Sequence, residues 1–98
     1  MKNLDEIKAL LSQDKPIIQK KYHVSELGIF GSYVRGEQKQ DSDVDVLINY
    51  TEAPSLLELL DLEFYLSDRL GIKADVVTKK GLKSRYRERI LAEIVYVC

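Results

Sequence analysis

The chain has 98 residues, 45% of them apolar and 32% charged, with a formal net charge of −1. That length fits one small domain over residues 1–98 with one modest core, and the near-zero charge excludes a global field that recruits nucleic acid or an anionic membrane. The only cysteine is the last residue, Cys98, and the only histidine is His23, which excludes a disulfide framework, a cysteine zinc site and a histidine cluster.

The N-terminal stretch MKNLDEIKALLSQDK is charged throughout and holds no apolar run long enough for a signal peptide or a membrane span, so a cytoplasmic protein is expected. Leu4, Ile7, Leu10 and Leu11 recur at helical spacing after Asn3, a good cap, and predict helix over residues 3–22. Pro16 is expected to break it and start a second short helix, KPIIQKKY, since proline suits a first turn and not an interior. His23 then falls at a helix end, on the surface. ELGIF (26–30) reads as a short buried strand, GSYVRG as a compact turn bounded by glycines, and EQKQDS as a polar loop.

DVDVLINY (43–50) alternates as a strand, with Val44, Val46 and Ile48 on one face and Asp43, Asp45 and Leu47 on the other. Pro54 is placed to open a helix over 54–70 with a broad leucine stripe, stopped at Gly71. IKADVVT (72–78) reads as a third strand, with Asp75 on its polar face. GLKSRYRERILAEI reads as a last helix, and VYVC as a short terminal extension. This order predicts an α/β protein: a small mixed sheet of about three strands flanked by helices.

Asp43 and Asp45 sit on one face of one strand, roughly 6.5–7 Å apart. Two acids so placed repel if buried together. They suit a metal, a shared proton or a solvated edge strand. Upstream, Gly31 and Ser32 follow a strand. Glycine lets a backbone approach a ligand closely, and exposed N–H groups with a hydroxyl suit a phosphate. Asp75 can join the first two acids, and carboxylates are the hard oxygen ligands that Mg²⁺ takes beside phosphates. Gly-Ser turns and Asp-x-Asp pairs are each common. The joint pattern is far more specific: strand, Gly-Ser, ten residues, Asp-x-Asp on a strand, helix, and an Asp on a third strand.

FGSYVRGEQKQDSDVDVLI, together with KADVVT, resembles the minimal nucleotidyltransferases of the DNA polymerase β superfamily, and the likeness spans nearly the whole chain. The resemblance implies a polymerase β-like fold and an antitoxin encoded beside a HEPN-domain toxin. Such an antitoxin transfers AMP from ATP to a tyrosine of the toxin and blocks its ribonuclease activity, in a hetero-oligomer with it. Position by position, it implies that Gly31 and Ser32 hold the β- and γ-phosphates of ATP and that Asp43, Asp45 and Asp75 are catalytic and hold two Mg²⁺ ions. Asp75 would lie nearer the attacking hydroxyl and help to deprotonate it. Arg35 matches the family's Arg-Gly and would contact the phosphates, or else pair with a nearby acid. Larger members of the superfamily carry a further domain for the acceptor. These 98 residues have no room for one, so a bound protein is expected to supply it.

Two alternatives stay open: neutralisation of a toxin by stoichiometric binding alone, and nucleotidyl transfer to a small molecule. Lys79, Lys80, Lys83, Arg85, Arg87 and Arg89 crowd eleven residues as a solvated helix face or a patch for a triphosphate, for RNA held by a toxin or for an acidic partner surface. Direct nucleic-acid binding and membrane binding are not expected. Tyr33, beside the phosphate turn, is expected to pack inward, and the leucines of 56–70 exceed what one core face needs.

Overall fold

The computed structural model describes residues 2–97. Helix α1 (Leu4–Tyr22) begins where the Asn3 side chain accepts a hydrogen bond from the Glu6 amide at 2.9 Å, so the expected cap is in place. The expected break at Pro16 is absent: α1 runs through the proline as one helix. An interior proline costs about 3 kcal/mol. Ile7 and Leu11 before it, and Ile18 and Tyr22 after it, form one buried stripe. Each such side chain contributes about 1.5–3 kcal/mol on burial, so the stripe outweighs the proline. His23 closes α1 in the left-handed region at φ 57°, exposed as expected, with Nε2 3.6 Å from the Glu52 carboxylate.

Strand β1 (Val24–Phe30) follows, then the single helical turn α2 (Ser32–Arg35) between Gly31 and Gly36, then β2 (Val44–Tyr50). β1 and β2 pair antiparallel, with a register shift between Val24 and Glu26. That bulge at Ser25 turns Val24, Leu27 and Ile29 toward one side, where strict alternation would have split them. Helix α3 (Leu56–Leu70) starts two residues later than Pro54 suggested. Ser55 caps it, accepting from the Glu58 amide at 3.2 Å while the Glu58 carboxylate accepts from the Ser55 amide at 3.0 Å. This reciprocal pair satisfies two helix-end donors, and Pro54 stands just outside. Strand β3 (Ala74–Thr78) pairs parallel to β2, so α3 is the crossover between them.

The last helix, expected over 81–94, is shorter at its start. A 3₁₀ turn at Lys79–Gly81 precedes α4 (Ser84–Glu93), and the chain ends its described course in a short strand, β4 (Val95–Tyr96). β4 pairs antiparallel with β1, giving a four-stranded sheet in the order β3-β2-β1-β4 where about three strands were expected. Cys98, the end of the expected extension, lies outside the described residues. A two-residue strand carries too little alternation to be read from sequence.

The core lies on one face of this sheet. Val24, Leu27, Ile29, Val44, Val46, Ile48 and Ala74 meet the apolar sides of α1 and of α3, the latter through Leu62, Leu66 and Leu70. Side chains of α3 also cover the outer edge of β3: the Ala74 amide donates to Ser67 Oγ at 2.9 Å and the Val76 amide to a Glu63 carboxylate oxygen at 2.8 Å. An edge strand so covered is a poor template for another chain.

Candidate active site

Register brings the acids together. β2 and β3 run parallel with Asp45 directly opposite Asp75, one step beyond Val44 opposite Ala74. On its other side Asp45 pairs with Phe30, the last residue of β1, so Gly31 begins its turn beside the same carboxylate. Two strand pairings therefore join residues that are far apart in sequence. Asp43 stands just ahead of β2, and its carboxylate is 4.0 Å from Lys73 Nζ, a contact with both side chains well solvated.

Only glycine suits position 31. Its φ of +83° with ψ of −152° belongs to a region that side chains avoid, and a Cβ there would run into the Asp45 carboxylate. The turn's backbone is thus pressed against the acid. Ser32 opens α2, and its carbonyl accepts from the Glu37 amide at 2.9 Å. Tyr33 packs inward as expected, 3% exposed, at the edge of the core. Gly36 ends α2 in the left-handed region at φ 72°.

Burial first, then the charges of Asp75 and Asp43, hold the Asp45 carboxyl above the ordinary aspartate range; Arg35 acts against this and Glu93 with it. Asp75 is raised too, by burial and then by the Asp43 carboxylate, with Lys73 opposing. Mutually repelling carboxylates, short of positive charge, form the donor set that a divalent cation relieves. Among the described residues no three of Asp, Glu, His and Cys already close on one point in ion-holding geometry. The fit with Mg²⁺ therefore rests on donor chemistry: hard oxygens only, beside a turn suited to phosphate.

Arg35 takes the paired alternative. Its Nη1 donates to both carboxylate oxygens of Glu93 at 3.0 Å, and its Nε to Glu37 at 3.1 Å. Glu93, the last residue of α4, also accepts from the Gly31 amide at 2.6 Å. Nothing in the sequence marks Glu93, because an acid ending a helix carries no local signal of a partner sixty residues upstream. A cleft of about 210 Å³ opens between this turn and α4, lined by Gly31, Arg35, Asp45, Tyr86, Arg89 and Glu93 among others. Of the basic run, Arg89 alone lines this cleft. Lys79 pairs with Glu26 at 3.4 Å, Lys80 lies over the Tyr50 ring, Arg85 over the Tyr86 ring, and Arg87 donates to the Lys79 carbonyl at 3.1 Å.

The nucleotidyltransferase domain family model matches residues 11–97. The chain is 47% identical over 97 residues to the protein adenylyltransferase MntA of Thermococcus cleftensis, covering 99% of this chain and 98% of that protein. A solved structure assigned as a minimal nucleotidyltransferase superposes with a TM-score of 0.79 at 31% identity, covering 96% of this chain and 95% of that one. A chain of the Shewanella oneidensis complex between a tri-AMPylated HEPN toxin and an MNT antitoxin shares the fold, with a TM-score of 0.69 at 13% identity over 93% of this chain and 71% of its own. With the match spanning the fold, the chain belongs to the nucleotidyltransferase domain family, among its minimal members.

Proposed function

We propose that this nucleotidyltransferase is an antitoxin that transfers AMP from ATP to a tyrosine of a cognate HEPN-domain toxin, with two Mg²⁺ ions. The observation that carries the reading is the side-by-side register of Asp45 and Asp75 with the Gly31 turn pressed against Asp45. In this reading the Gly31 amide and the Ser32 hydroxyl hold the β- and γ-phosphates. Asp43, Asp45 and Asp75 hold the metal ions, which when bound neutralise charge on the phosphates of the nucleotide. The toxin's tyrosine oxygen forms a bond to the α-phosphorus as the bond to pyrophosphate breaks, and its proton passes to Asp75. Rate enhancement comes from alignment and from fixed charge at the reacting phosphate.

A partner protein supplying the acceptor is supported by the exposed apolar surface. Leu56, Leu57 and Phe64 of α3 are 72%, 77% and 73% exposed, and clustered exposed apolar side chains mark surfaces that bind another protein. No helix among the described residues is long and apolar enough to cross a membrane. The experiment combines the protein, Mg²⁺, ATP labelled at the α-phosphate and the product of the adjacent gene. Label is expected on a tyrosine of that product, and Asp43→Asn with Asp45→Asn abolishes it. No label with the unaltered protein, or equal label with the double variant, overturns the reading. A double variant that still neutralises the toxin at equal dose identifies stoichiometric binding instead.

A further inference from the structure

The Glu93 carboxylate occupies the position that the proposed function gives to phosphate. It accepts from the Gly31 amide at 2.6 Å and from Arg35 Nη1 through both oxygens at 3.0 Å, so a single side-chain anion uses the turn's donor and the nearest guanidinium together. The Glu93 side chain is 20% exposed and lines the cleft that Arg89 and Tyr86 also face. A nucleotide phosphate cannot take the Gly31 amide while a carboxylate holds it: the donor is single and the two anions repel.

The element carrying Glu93 is built to let go. α4 has no buried residue, so little packing fixes it to the sheet. Glu93 stands at the C-terminal end of α4, where the helix dipole disfavours a negative charge, and its contacts to Gly31 and Arg35 are what offset that cost. Immediately after it the chain is anchored. Ile94 packs onto Gly28, where a Cβ would collide with it, and the Val97 amide donates to the Leu27 carbonyl at 2.8 Å. The backbone beside Glu93 is therefore fixed, and the latch opens by rotation of the Glu93 side chain away from Gly31.

We propose that Glu93 is a displaceable latch on the phosphate turn: it holds the Gly31 amide and Arg35 in the empty protein, and the polyphosphate of an incoming nucleoside triphosphate evicts it and takes over both. This rests on the nucleotide site of the proposed function. Binding then depends on the fraction of molecules with the latch open, so the apparent affinity lies below the intrinsic one by that fraction. Glu93 is a positioning residue: opening it frees the Gly31 amide and Arg35, which lines the same cleft as Arg89.

The test measures binding of the α,β-methylene analogue of ATP with Mg²⁺ by calorimetry to the unaltered chain, Glu93→Gln and Glu93→Ala, with circular dichroism reporting the fold. Removing the charged competitor is expected to lower Kd by about tenfold. A side chain that merely braces α4 gives the opposite sign, weaker binding or none. Unaltered affinity in a folded Glu93→Gln overturns the latch and leaves the nucleotide site standing. No binding by the unaltered chain or by either variant overturns both. Should the variants fail to fold, the unaltered protein decides: on adding the analogue, the Glu93 side-chain carboxyl carbon and the Arg35 side-chain nitrogen are expected to shift together in NMR spectra. Binding that moves neither resonance overturns the latch.

Discussion

The two faces of the sheet follow opposite rules. On the α1–α3 face the inward side chains are apolar, and Asp14, the only buried charged residue among those described, is held by Arg69 at 2.8 Å and the Tyr65 hydroxyl at 2.9 Å. On the other face, which also holds the buried Leu47, two carboxylates stand side by side, glycine backbone presses on one of them, and no residue of the covering helix is itself buried. One face carries most of the core. The other is kept electrostatically unfavourable and loosely covered, which is the condition in which a polyphosphate and cations improve it most. Sites that store such cost at the place of function trade stability for activity.

The contrast predicts that the faces break differently. Leu66 is 0% exposed in the core. Leu66→Ala is expected to lower the unfolding free energy by about 2–5 kcal/mol, read from urea denaturation, while each molecule that stays folded keeps its transfer rate. Asp45→Asn is expected to do the reverse. It removes a charge that its neighbours disfavour, so the thermal midpoint rises by a few degrees, whereas AMP transfer falls by about 10²–10³-fold or more. A midpoint that drops in Asp45→Asn means that the acid face contributes to stability after all, and the comparison fails.

Gly31→Ala sits where the faces meet. The substitution strains φ and drives a methyl group into Asp45, so about 1–3 kcal/mol of stability should be lost together with nucleotide binding. Loss of binding with no change in stability separates the turn from the fold.

What could be read from the sequence divides along the same line. The alternation of DVDVLINY gave both its faces correctly, and the helix of 54–70 was legible because leucines at helical spacing report burial directly. The candidate site was legible as residues and not as contacts. Type and spacing single out Gly31, Asp43, Asp45 and Asp75 as candidates, but that Asp45 lies opposite Asp75 is a matter of parallel register, and spacing does not encode it. Pro16 misled because a local rule was set against a tertiary stripe that reunites Leu11 with Ile18 across it. Glu93 was invisible for the opposite reason. Its significance lies wholly in contacts with Gly31 and Arg35, and nothing in AEIVYV marks it.

The smallest effect tests the comparison through pH. On the acid face, Asp45 and Asp75 have folded values raised above the ordinary 3.8. The native state then binds protons more tightly than the unfolded chain, so stability falls as pH rises from about 3.8 through the raised values, and recovers as pH is lowered through the same window. Elsewhere the sign is reversed. Asp61 is lowered chiefly by the hydrogen bond from the Tyr22 hydroxyl, Glu58 by its capping bonds to Ser55, and Glu26 by the Asn49 amide. Their stabilisation is present above the unfolded values and is lost as pH falls through the lowered ones. In the presence of EDTA, the melting midpoint of Asp45→Asn/Asp75→Asn should exceed that of the unaltered protein at neutral pH. The gap should narrow as pH falls toward 3.8, while both proteins lose stability together below it. A gap that is constant with pH would mean that the two substitutions act through packing, and the electrostatic contrast between the faces would go with it.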